Sequence, residues 1–281
     1  MEIVDGLLTT LVYLASSFVL FFIGKLIYQL LHKKIKVQEE LVEKDNFAFA
    51  LSHTGYFVGL LISIGSVMLG ESEGLMYDMI NIGIYGGMAV ILLNLSVLVN
   101  DKIILRKFSI RKEVIEDRNA GVGIVEGAIS IATGLIIMGS IYGEGGILSA
   151  IVYWVIGQAI LIITSYVYNW ITPYDIHIHI ERDNVAVGIG FAGALIAIAN
   201  LIRFALMHDF EDWLITIENV SFDVVIGLLF LPLARLLTDK ILLPGRNLTD
   251  EIINQEHPNL GAAVIEAFAY IGGSVLITWS L

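Results

Sequence analysis

A short motif occurs four times in the sequence, each time where a charged segment ends and a long apolar run begins. It reads Glu-x-x-Asn-x-small-x-small, where the small residues are Ala or Gly. Successive copies are 73, 65 and 75 residues apart. Their glutamates and asparagines are Glu43 and Asn46, Glu116 and Asn119, Glu181 and Asn184, and Glu256 and Asn259. Self-similarity of this kind restricts the fold to tandem copies of one unit, so we expect four similar units.

The apolar runs are long enough to cross a lipid bilayer. Hydrophobic residues make up 57% of the 281 residues and charged residues only 16%, which is little charge for the surface of a soluble domain. A spanning helix needs about 20 apolar residues, and we count eight such runs. They are residues 7–31, 47–69, 75–99, 120–142, 147–170, 185–207, 222–243 and 260–281. We predict an all-α membrane protein with eight transmembrane helices, arranged as four tandem hairpin repeats of the same orientation.

Lys and Arg are concentrated in the longer links that follow the odd-numbered runs. Thirteen of the sixteen lie there, and the other three, Lys25, Arg203 and Arg235, fall inside runs. Because cytoplasmic links carry the excess of Lys and Arg, we predict that these links are cytoplasmic and that both termini lie outside. The first run follows only Glu2 and Asp5, so we interpret it as a retained helix and not as a signal peptide.

A coarser duplication divides the chain into two halves. Asp101-Lys-Ile-Ile-Leu after the third run recurs as Asp239-Lys-Ile-Leu-Leu after the seventh run, 138 residues later. We therefore predict two four-helix domains, residues 1–143 and 144–281, with pseudo-twofold symmetry that could approach fourfold symmetry. Each domain would contain two hairpins.

Small residues distinguish the even-numbered runs from the odd-numbered ones. Residues 119–143 include eleven Gly, Ala or Ser, whereas residues 7–31 include four. Helices in lipid associate through close backbone approach, which small residues allow. We expect the four even-numbered helices to pack at the centre and the odd-numbered helices to surround them.

The hairpin with Glu-x-x-Asn-x-Ala/Gly-x-Ala/Gly at the start of each even-numbered helix resembles the YjfL-like family of uncharacterised prokaryotic inner-membrane proteins. The resemblance covers nearly the whole chain, which would hold four copies of the family's hairpin unit. It implies a protein integral to the cell (inner) membrane whose activity is not settled.

Two interpretations of the repeated motif remain open. In the first, the four asparagines are helix N-caps that accept hydrogen bonds from the orphan amides of the first turn, and the following small residues let helices approach. In the second, the four glutamates form a carboxylate ring at a cytoplasmic mouth, as in cation pores.

The position seven residues after each motif asparagine is the most informative place inside the predicted spans. It is occupied by His53, Glu126, Phe191 and Glu266. At 1.5 Å per residue this position lies about 10 Å inside the helix, where an unpaired charge costs on the order of 3 kcal/mol. Ionisable residues at such a depth are functional candidates, and Glu126 and Glu266 occupy equivalent places in the two halves.

Two basic residues on odd-numbered helices reach a similar depth. Lys25 and Arg235 lie about 10 Å from the cytoplasmic ends of their predicted spans. In one interpretation they form static salt bridges with Glu126 and Glu266. In the other, the two glutamates and His53 bind or relay a proton or a cation while the basic groups tune their pKa values.

The segment 175–181 alternates strictly between polar and apolar residues. This pattern predicts a short strand at the membrane surface with His177 and His179 on one face. We interpret it as a solvated edge, and a metal site is the alternative.

The side opposite the longer links is acidic, which would attract cations. We expect Arg203 to pair there with Asp223 or Glu218.

The sequence supports two hypotheses for function. The first is passage or sensing of a small cation or proton through the intramembrane carboxylates. The second is a non-transporting membrane scaffold or envelope-stress component that docks a cytoplasmic partner through its charged links.

The net charge of −12 argues against nucleic acid as a partner. Besides the lipid bilayer, the partners considered are cations or protons, a cytoplasmic protein and a second copy of the chain. We expect no enzymatic activity, no cofactor and no metal site, because the sequence contains no nucleophile–base motif and no phosphate-binding loop.

Overall fold

The computed structural model describes residues 2–69, 72, 74–107, 109–142, 145–208 and 213–281, with side chains from residue 6 onwards. Much of the acidic sequence between the runs, including Glu71, Glu144 and residues 209–212, lies outside the described residues. The predicted domain boundary at residues 143 and 144 also lies outside them.

Ten α-helices account for most of the described chain. They are α1 Glu2–Leu31, α2 Phe47–Gly65, α3 Leu75–Ile103, α4 Ala120–Tyr142, α5 Gly146–Ile171, α6 Ile176–Glu181, α7 Val185–Leu206, α8 Trp213–Leu237, α9 Leu248–Ile253 and α10 Leu260–Ser280. Eight of these described helices are long and apolar enough to cross a membrane, and α6 and α9 are short helices in links. The prediction of an all-α protein with eight spans is confirmed.

Helix α8 differs most from its predicted span. It begins at Trp213, about two turns before the predicted start at residue 222, and it ends at Leu237 in a further turn, Thr238–Leu242. The polar residues Glu218 and Asn219 interrupt the apolar sequence before residue 222. They are exposed on the helix, so they extend it without burying a charge.

The eight long helices form two layers. The inner layer is a row in which α2 packs on α4, α4 on α7, and α7 on α10. The outer layer contains α1, α3, α5 and α8, and each of the last three lies against two neighbouring helices of the row. The expectation of central even-numbered helices is therefore correct. Fourfold symmetry is not observed, because α2 and α10 lie at opposite ends of the row.

Close backbone contact holds the inner row together. A Cβ atom added to Gly55 of α2 would lie 2.2 Å from Cα of Gly127 on α4, and one added to Gly123 would lie 2.2 Å from the carbonyl oxygen of Ala48. At Gly193 of α7 it would lie 2.5 Å from Cα of Ala267 on α10. Real Cβ atoms do not approach so closely, so glycine is required where these helices cross.

Large apolar side chains cover the outward faces of the two layers. Leu11, Phe18 and Phe22 of α1 are exposed, as are Leu229 of α8 and Phe268 of α10. An exposed apolar surface of this extent suits contact with lipid and not with water. The buried residues of α4 and α7, by contrast, face other helices.

The longer links all lie at one end of the molecule, which we call the link side: residues 32–46, 104–119, 172–184 and 238–259. Each link packs against the next through the motif asparagines. In the first three links the residue before the asparagine has a positive φ: 48° at Asp45, 55° at Arg118 and 58° at Asp183. This left-handed residue ends the last turn of the link and redirects the chain into the inner helix.

We predict that Gly55→Ala destabilises the protein by about 1–3 kcal/mol, the usual cost of forcing a methyl group into a close contact. Gly83→Ala on α3 is the matched control, because a Cβ at Gly83 meets nothing within 4 Å. Unfolding of both variants in the same detergent tests this. Equal stability of the two variants would show that α2 and α4 do not require their close contact.

Candidate functional site

The motif asparagines begin the inner helices and connect neighbouring units. Oδ1 of Asn46 accepts a hydrogen bond from the amide of Phe49 at 3.1 Å, and its Nδ2 donates to the carbonyl oxygen of Val114 in the next link at 2.9 Å. Asn119 bonds in the same way to Val122 of its own helix and to Ile180 of the following link, at 2.9 and 2.8 Å. One side chain thus satisfies an orphan helix amide and fixes the next link.

The third and fourth copies show how the series ends. Asn184 caps α7 and donates to the carbonyl oxygen of Ile252 at 3.0 Å. Asn259 caps α10 but donates to Glu251 of its own link at 2.9 Å, and its side chain is exposed. All four asparagines therefore cap helices, and three of them also join units.

The hypothesis of a glutamate ring is wrong. The motif glutamates are exposed to solvent, and the inner helices that follow them stand in a row and not around a pore; they are Glu43, Glu116, Glu181 and Glu256. Sequence reasoning missed two glutamates that lie six residues before their asparagines. Glu40 and Glu113 are buried and accept hydrogen bonds from Nδ2 of Asn46 and Asn119, both at 3.1 Å.

The two buried link glutamates have different electrostatic surroundings. Burial raises the pKa of Glu40, but hydrogen bonds from Lys44 and Asn46 outweigh it and hold the pKa below its usual value. Glu113 has no such lysine, and burial raises its pKa despite the hydrogen bond from Asn119. The position six residues before the motif asparagine therefore holds a well-stabilised carboxylate in the first copy, Glu40, and a poorly stabilised one in the second, Glu113.

In the second half the intramembrane glutamate is neutralised by an arginine. Nη1 of Arg235 on α8 lies 2.6 Å from Oε1 of Glu266 on α10, and Glu266 is 1% exposed. The hydroxyl of Tyr270 donates to the same carboxylate oxygen at 3.2 Å. Nη2 of Arg235 donates to Oγ1 of Thr249 in α9 at 3.1 Å, and its guanidinium faces the ring of Tyr174 at 5.6 Å. The salt bridge between Arg235 and Glu266 that was expected from the sequence is present.

In the first half the equivalent glutamate has no basic partner within the part of the chain that the structure describes. Glu126 of α4 is half-buried and interacts with the hydroxyl of Ser52 on α2. Lys25 is half-buried on α1 and does not pair with it, so the proposed Lys25–Glu126 salt bridge is wrong. Tyr28, almost one turn further along α1, faces Glu126 instead.

A cavity of about 200 Å³ separates these groups on the link side of the first half. Its wall includes Glu126, Asp101, Ser52, Arg111 and Tyr28. The negative charges of Asp101 and Glu126 act on each other, and Oδ1 of Asp101 is buried without a hydrogen-bond partner. Within the described residues neither carboxylate forms an ion pair. The sequence drew attention to Asp101 only because it begins the repeated Asp-Lys-Ile segment. No sequence pattern indicated that Asp101 on α3 and Glu126 on α4 line the same cavity.

Aromatic side chains surround one side of this cavity. The rings of Tyr28 and His32 stack with centroids 4.3 Å apart, and Phe49 completes the wall. His53 lies behind them, 3% exposed, against Tyr28 at 4.8 Å and Phe49 at 5.1 Å. His53 therefore supports the aromatic wall, and it is not among the residues that line the cavity.

The predicted strand at residues 175–181 is wrong. The carboxylate of Asp175 accepts hydrogen bonds from the amides of His177 and Ile178 and starts helix α6, whose buried face carries Ile176 and Ile180. Helical geometry places His177 and His179 on different faces. Within the described residues no group of three or more His, Asp or Glu side chains is arranged to hold a metal ion.

Among the described residues, Arg203 is not paired with an acid. Its guanidinium donates to Oδ1 of Asn200 at 3.1 and 3.2 Å and contacts the sulfur of Met207. Asp223 instead lies 3.9 Å from His208. The expected pairing of Arg203 is therefore wrong, because a residue one turn away on the same helix satisfies the guanidinium.

Comparison with known proteins shows what kind of chain carries this geometry. Residues 2–141 and residues 144–281 each match the family model described as Domain of Unknown Function (DUF350). The chain belongs to the DUF350 family. Each DUF350 segment contains four of the eight long helices, so the matched unit is a pair of hairpins and not a single hairpin.

A relative of this DUF350 protein is the UPF0719 transmembrane protein of Aquifex aeolicus (strain VF5). It is 24% identical over 190 residues, which cover 66% of this chain and 68% of that protein. No solved structure matches the chain with statistical significance. These findings support an uncharacterised family of multi-pass membrane proteins, the broader part of the resemblance stated above. The YjfL-like name stays a prediction.

We predict opposite effects for the two link glutamates of the first DUF350 segment. The pKa of Glu40 is lowered by folding, so its stabilisation is present above the unfolded pKa of about 4.3 and is lost as pH falls through the folded pKa. Glu40→Gln should cost about 1 kcal/mol at neutral pH and nothing in acid. The pKa of Glu113 is raised, so its ionisation costs stability as pH rises.

Glu113→Gln should therefore be neutral or stabilising at neutral pH. Thermal unfolding of both variants and the wild type between neutral and acidic pH checks this. A loss of stability in Glu113→Gln that persists in acid would contradict the assigned roles.

We predict that Arg235→Met in the second DUF350 segment costs about 3 kcal/mol, because it leaves the buried carboxylate of Glu266 without its cation. The double variant Arg235→Met/Glu266→Gln is the matched control and should recover most of the loss, since the charge is removed with its partner. Unfolding measurements on the two variants that gave equal losses would mean that Arg235 acts through packing.

Proposed function

We propose that this DUF350 protein binds a proton or a small cation at the cavity of its first half. The observation that carries this proposal is the pair of carboxylates, Asp101 and Glu126, which line a cavity and form no ion pair with any described residue. Two ionised carboxylates at membrane depth repel each other and are costly unless a positive charge joins them or one is protonated. A bound cation or proton supplies that charge.

Access from the cytoplasm follows from the charge distribution. The cavity wall includes Ile110, Arg111 and Val114 of the second link, so the cavity lies on the link side. The links carry twelve of the sixteen Lys and Arg, and a thirteenth, Lys102, lies in the last turn of α3 beside them. By the positive-inside rule the link side faces the cytoplasm of the cell (inner) membrane, and both termini face outside.

The packing beyond the cavity favours binding or sensing over conduction. Towards the other side, the interface of α1, α2 and α3 is filled by buried apolar residues, including Leu20, Leu60, Ile64 and Leu93. Tyr56, between the cavity and this layer, bonds to the carbonyl oxygen of Gly24 at 3.0 Å. Apolar packing therefore blocks an ion bound beside Glu126 from crossing to the side opposite the links. Such an ion enters and leaves from the link side.

The protein is proposed to act without catalysis. Asp101 and Glu126 have the chemistry of a cation site. The scaffold hypothesis remains the alternative that the following experiment separates from ion binding.

Thermal unfolding of purified protein tests the proposal, with pH and monovalent cation concentration varied at constant ionic strength. An occupant of the folded site at ten times its Kd stabilises by about 1.4 kcal/mol. We expect such stabilisation in the wild type and its loss in Asp101→Asn/Glu126→Gln. The control Glu43→Gln/Glu116→Gln changes two exposed carboxylates and should respond like the wild type.

Equal responses of the wild type and the Asp101→Asn/Glu126→Gln variant would contradict the proposal and favour the docking scaffold. Flux measurements in liposomes provide a second comparison. Because apolar packing lies beyond the cavity, we expect no steady cation leak above that of protein-free vesicles.

A further inference from the structure

The two halves of the chain carry equivalent carboxylates, but within the described residues a guanidinium forms an ion pair with only one of them, Glu266. Asp101 and Glu126 correspond to Asp239 and Glu266, because both aspartates begin the Asp-Lys-Ile repeat and both glutamates lie seven residues after a motif asparagine. As in the first half, the charge of the aspartate acts on the glutamate. The chain therefore contains one carboxylate pair with a built-in cation and one without.

One difference lies on the outer helices. Arg235 is four residues before Asp239, and the residue four before Asp101 is Val97, which is 5% exposed and packs in the apolar core. Val97 carries no charge that could pair with Glu126, and the first half has a cavity beside this carboxylate.

The surroundings of Arg235 define what such a site contains. Its guanidinium contacts the carboxylate of Glu266 at 2.6 Å, the hydroxyl of Thr249 at 3.1 Å and the ring face of Tyr174 at 5.6 Å. Carboxylate, hydroxyl and aromatic face are the three groups that hold a planar, weakly hydrated cation.

The first-half cavity offers the same three groups. Glu126 and Asp101 supply carboxylates, Ser52 supplies a hydroxyl, and Tyr28 and Phe49 supply aromatic rings. Its volume of about 200 Å³ exceeds the roughly 30 Å³ occupied by one water molecule several-fold, so it has room for a cation of several heavy atoms.

We propose that the first-half cavity binds a compact organic cation of the guanidinium class, which would neutralise Glu126 as the side chain of Arg235 neutralises Glu266 in the second half. The inference rests on the proposed cation site and names its ligand class. The aromatic wall distinguishes this ligand from a hard metal ion, which prefers a shell of oxygen ligands.

The guanidinium of Arg111 would compete with such a ligand for the cavity. It lines the wall on the link side, its side chain is exposed, and no ion pair holds it within the described residues. A guanidinium ligand approaching from the link side meets this like charge. Arg111→Ala should therefore tighten binding of the ligand in the cavity. An adventitious interaction with exposed carboxylates elsewhere on the surface would be changed little by this substitution.

The test is thermal unfolding of the full chain with millimolar guanidinium or methylguanidinium as the probe, far below denaturing concentrations. Equal concentrations of urea and sodium chloride are controls for denaturant and ionic effects. We expect guanidinium, and neither control, to raise the unfolding temperature of the wild type. Affinity from the concentration dependence should fall at least about ten-fold in Glu126→Gln, a change of about 1.4 kcal/mol.

Val97→Arg is the sharpest variant, because it gives the first half the residue that the second half already has. We expect a folded Val97→Arg variant to lose its response to guanidinium. Asp101→Asn/Glu126→Gln provides the same loss without adding a bulky side chain, should Val97→Arg fail to fold. A guanidinium response that survives in both would overturn the proposal.

Arg235→Ala supplies a positive control for the probe. Removal of this side chain leaves a carboxylate–hydroxyl–aromatic site that free guanidinium should refill, so millimolar guanidinium should restore part of the lost stability. If guanidinium rescues Arg235→Ala but does not stabilise the wild type, the first-half ligand is not of this class.

The outcomes also separate this inference from the proposed function. A wild type that responds to protons or sodium ions through Asp101 and Glu126, but not to guanidinium, overturns the ligand class and keeps the cation site. A wild type that responds to none of these probes overturns both.

Discussion

One asparagine side chain in each of the first three units meets two backbone requirements, and the inner row of helices depends on it. Asn119 accepts from the first turn of α4 and donates to the carbonyl oxygen of Ile180 in the next link. Unsatisfied backbone groups at a helix end near the bilayer cost several kcal/mol, so the start of each inner helix needs such a partner. Because the partner also holds the neighbouring link, the position of one helix fixes that of the next. The small residues that follow then meet a neighbouring backbone, as Gly123 meets Ala48.

The same repeated frame carries two different solutions for a carboxylate at membrane depth. In the second half, Arg235 supplies a positive charge within the protein, and the site is filled by side chains. In the first half, Glu126 and Asp101 line a cavity, and a basic residue at the depth of Lys25 does not reach them. Equivalent acids thus occur in both halves, in a closed salt bridge in one half and beside a cavity in the other.

Several features of the fold could be predicted because they depend on local composition. The bounds of α4, Ala120–Tyr142, equal those of its apolar run, and the glycines of the even-numbered runs indicated the inner layer. Other expectations failed where a local pattern competed with a cap or a partner. Alternation at residues 175–181 indicated a strand, but Asp175 caps a helix whose Ile176 and Ile180 are buried together. Helical packing also left Lys25 without Glu126, because depth along a helix does not determine the direction in which a side chain points.

The sequence alone determined the number of spans, the repeat of the motif, the membrane environment and the depth of Glu126 and Glu266, because hydrophobic length and residue spacing are properties of the chain itself. It could not determine that the inner helices form a row, since small residues permit close approach without selecting the neighbour. Only the tertiary structure decided that Glu40 and not Glu43 bonds to the asparagine, and that Asp101 shares a cavity with Glu126. These relations join residues on different turns or different helices, and their distances are set by packing.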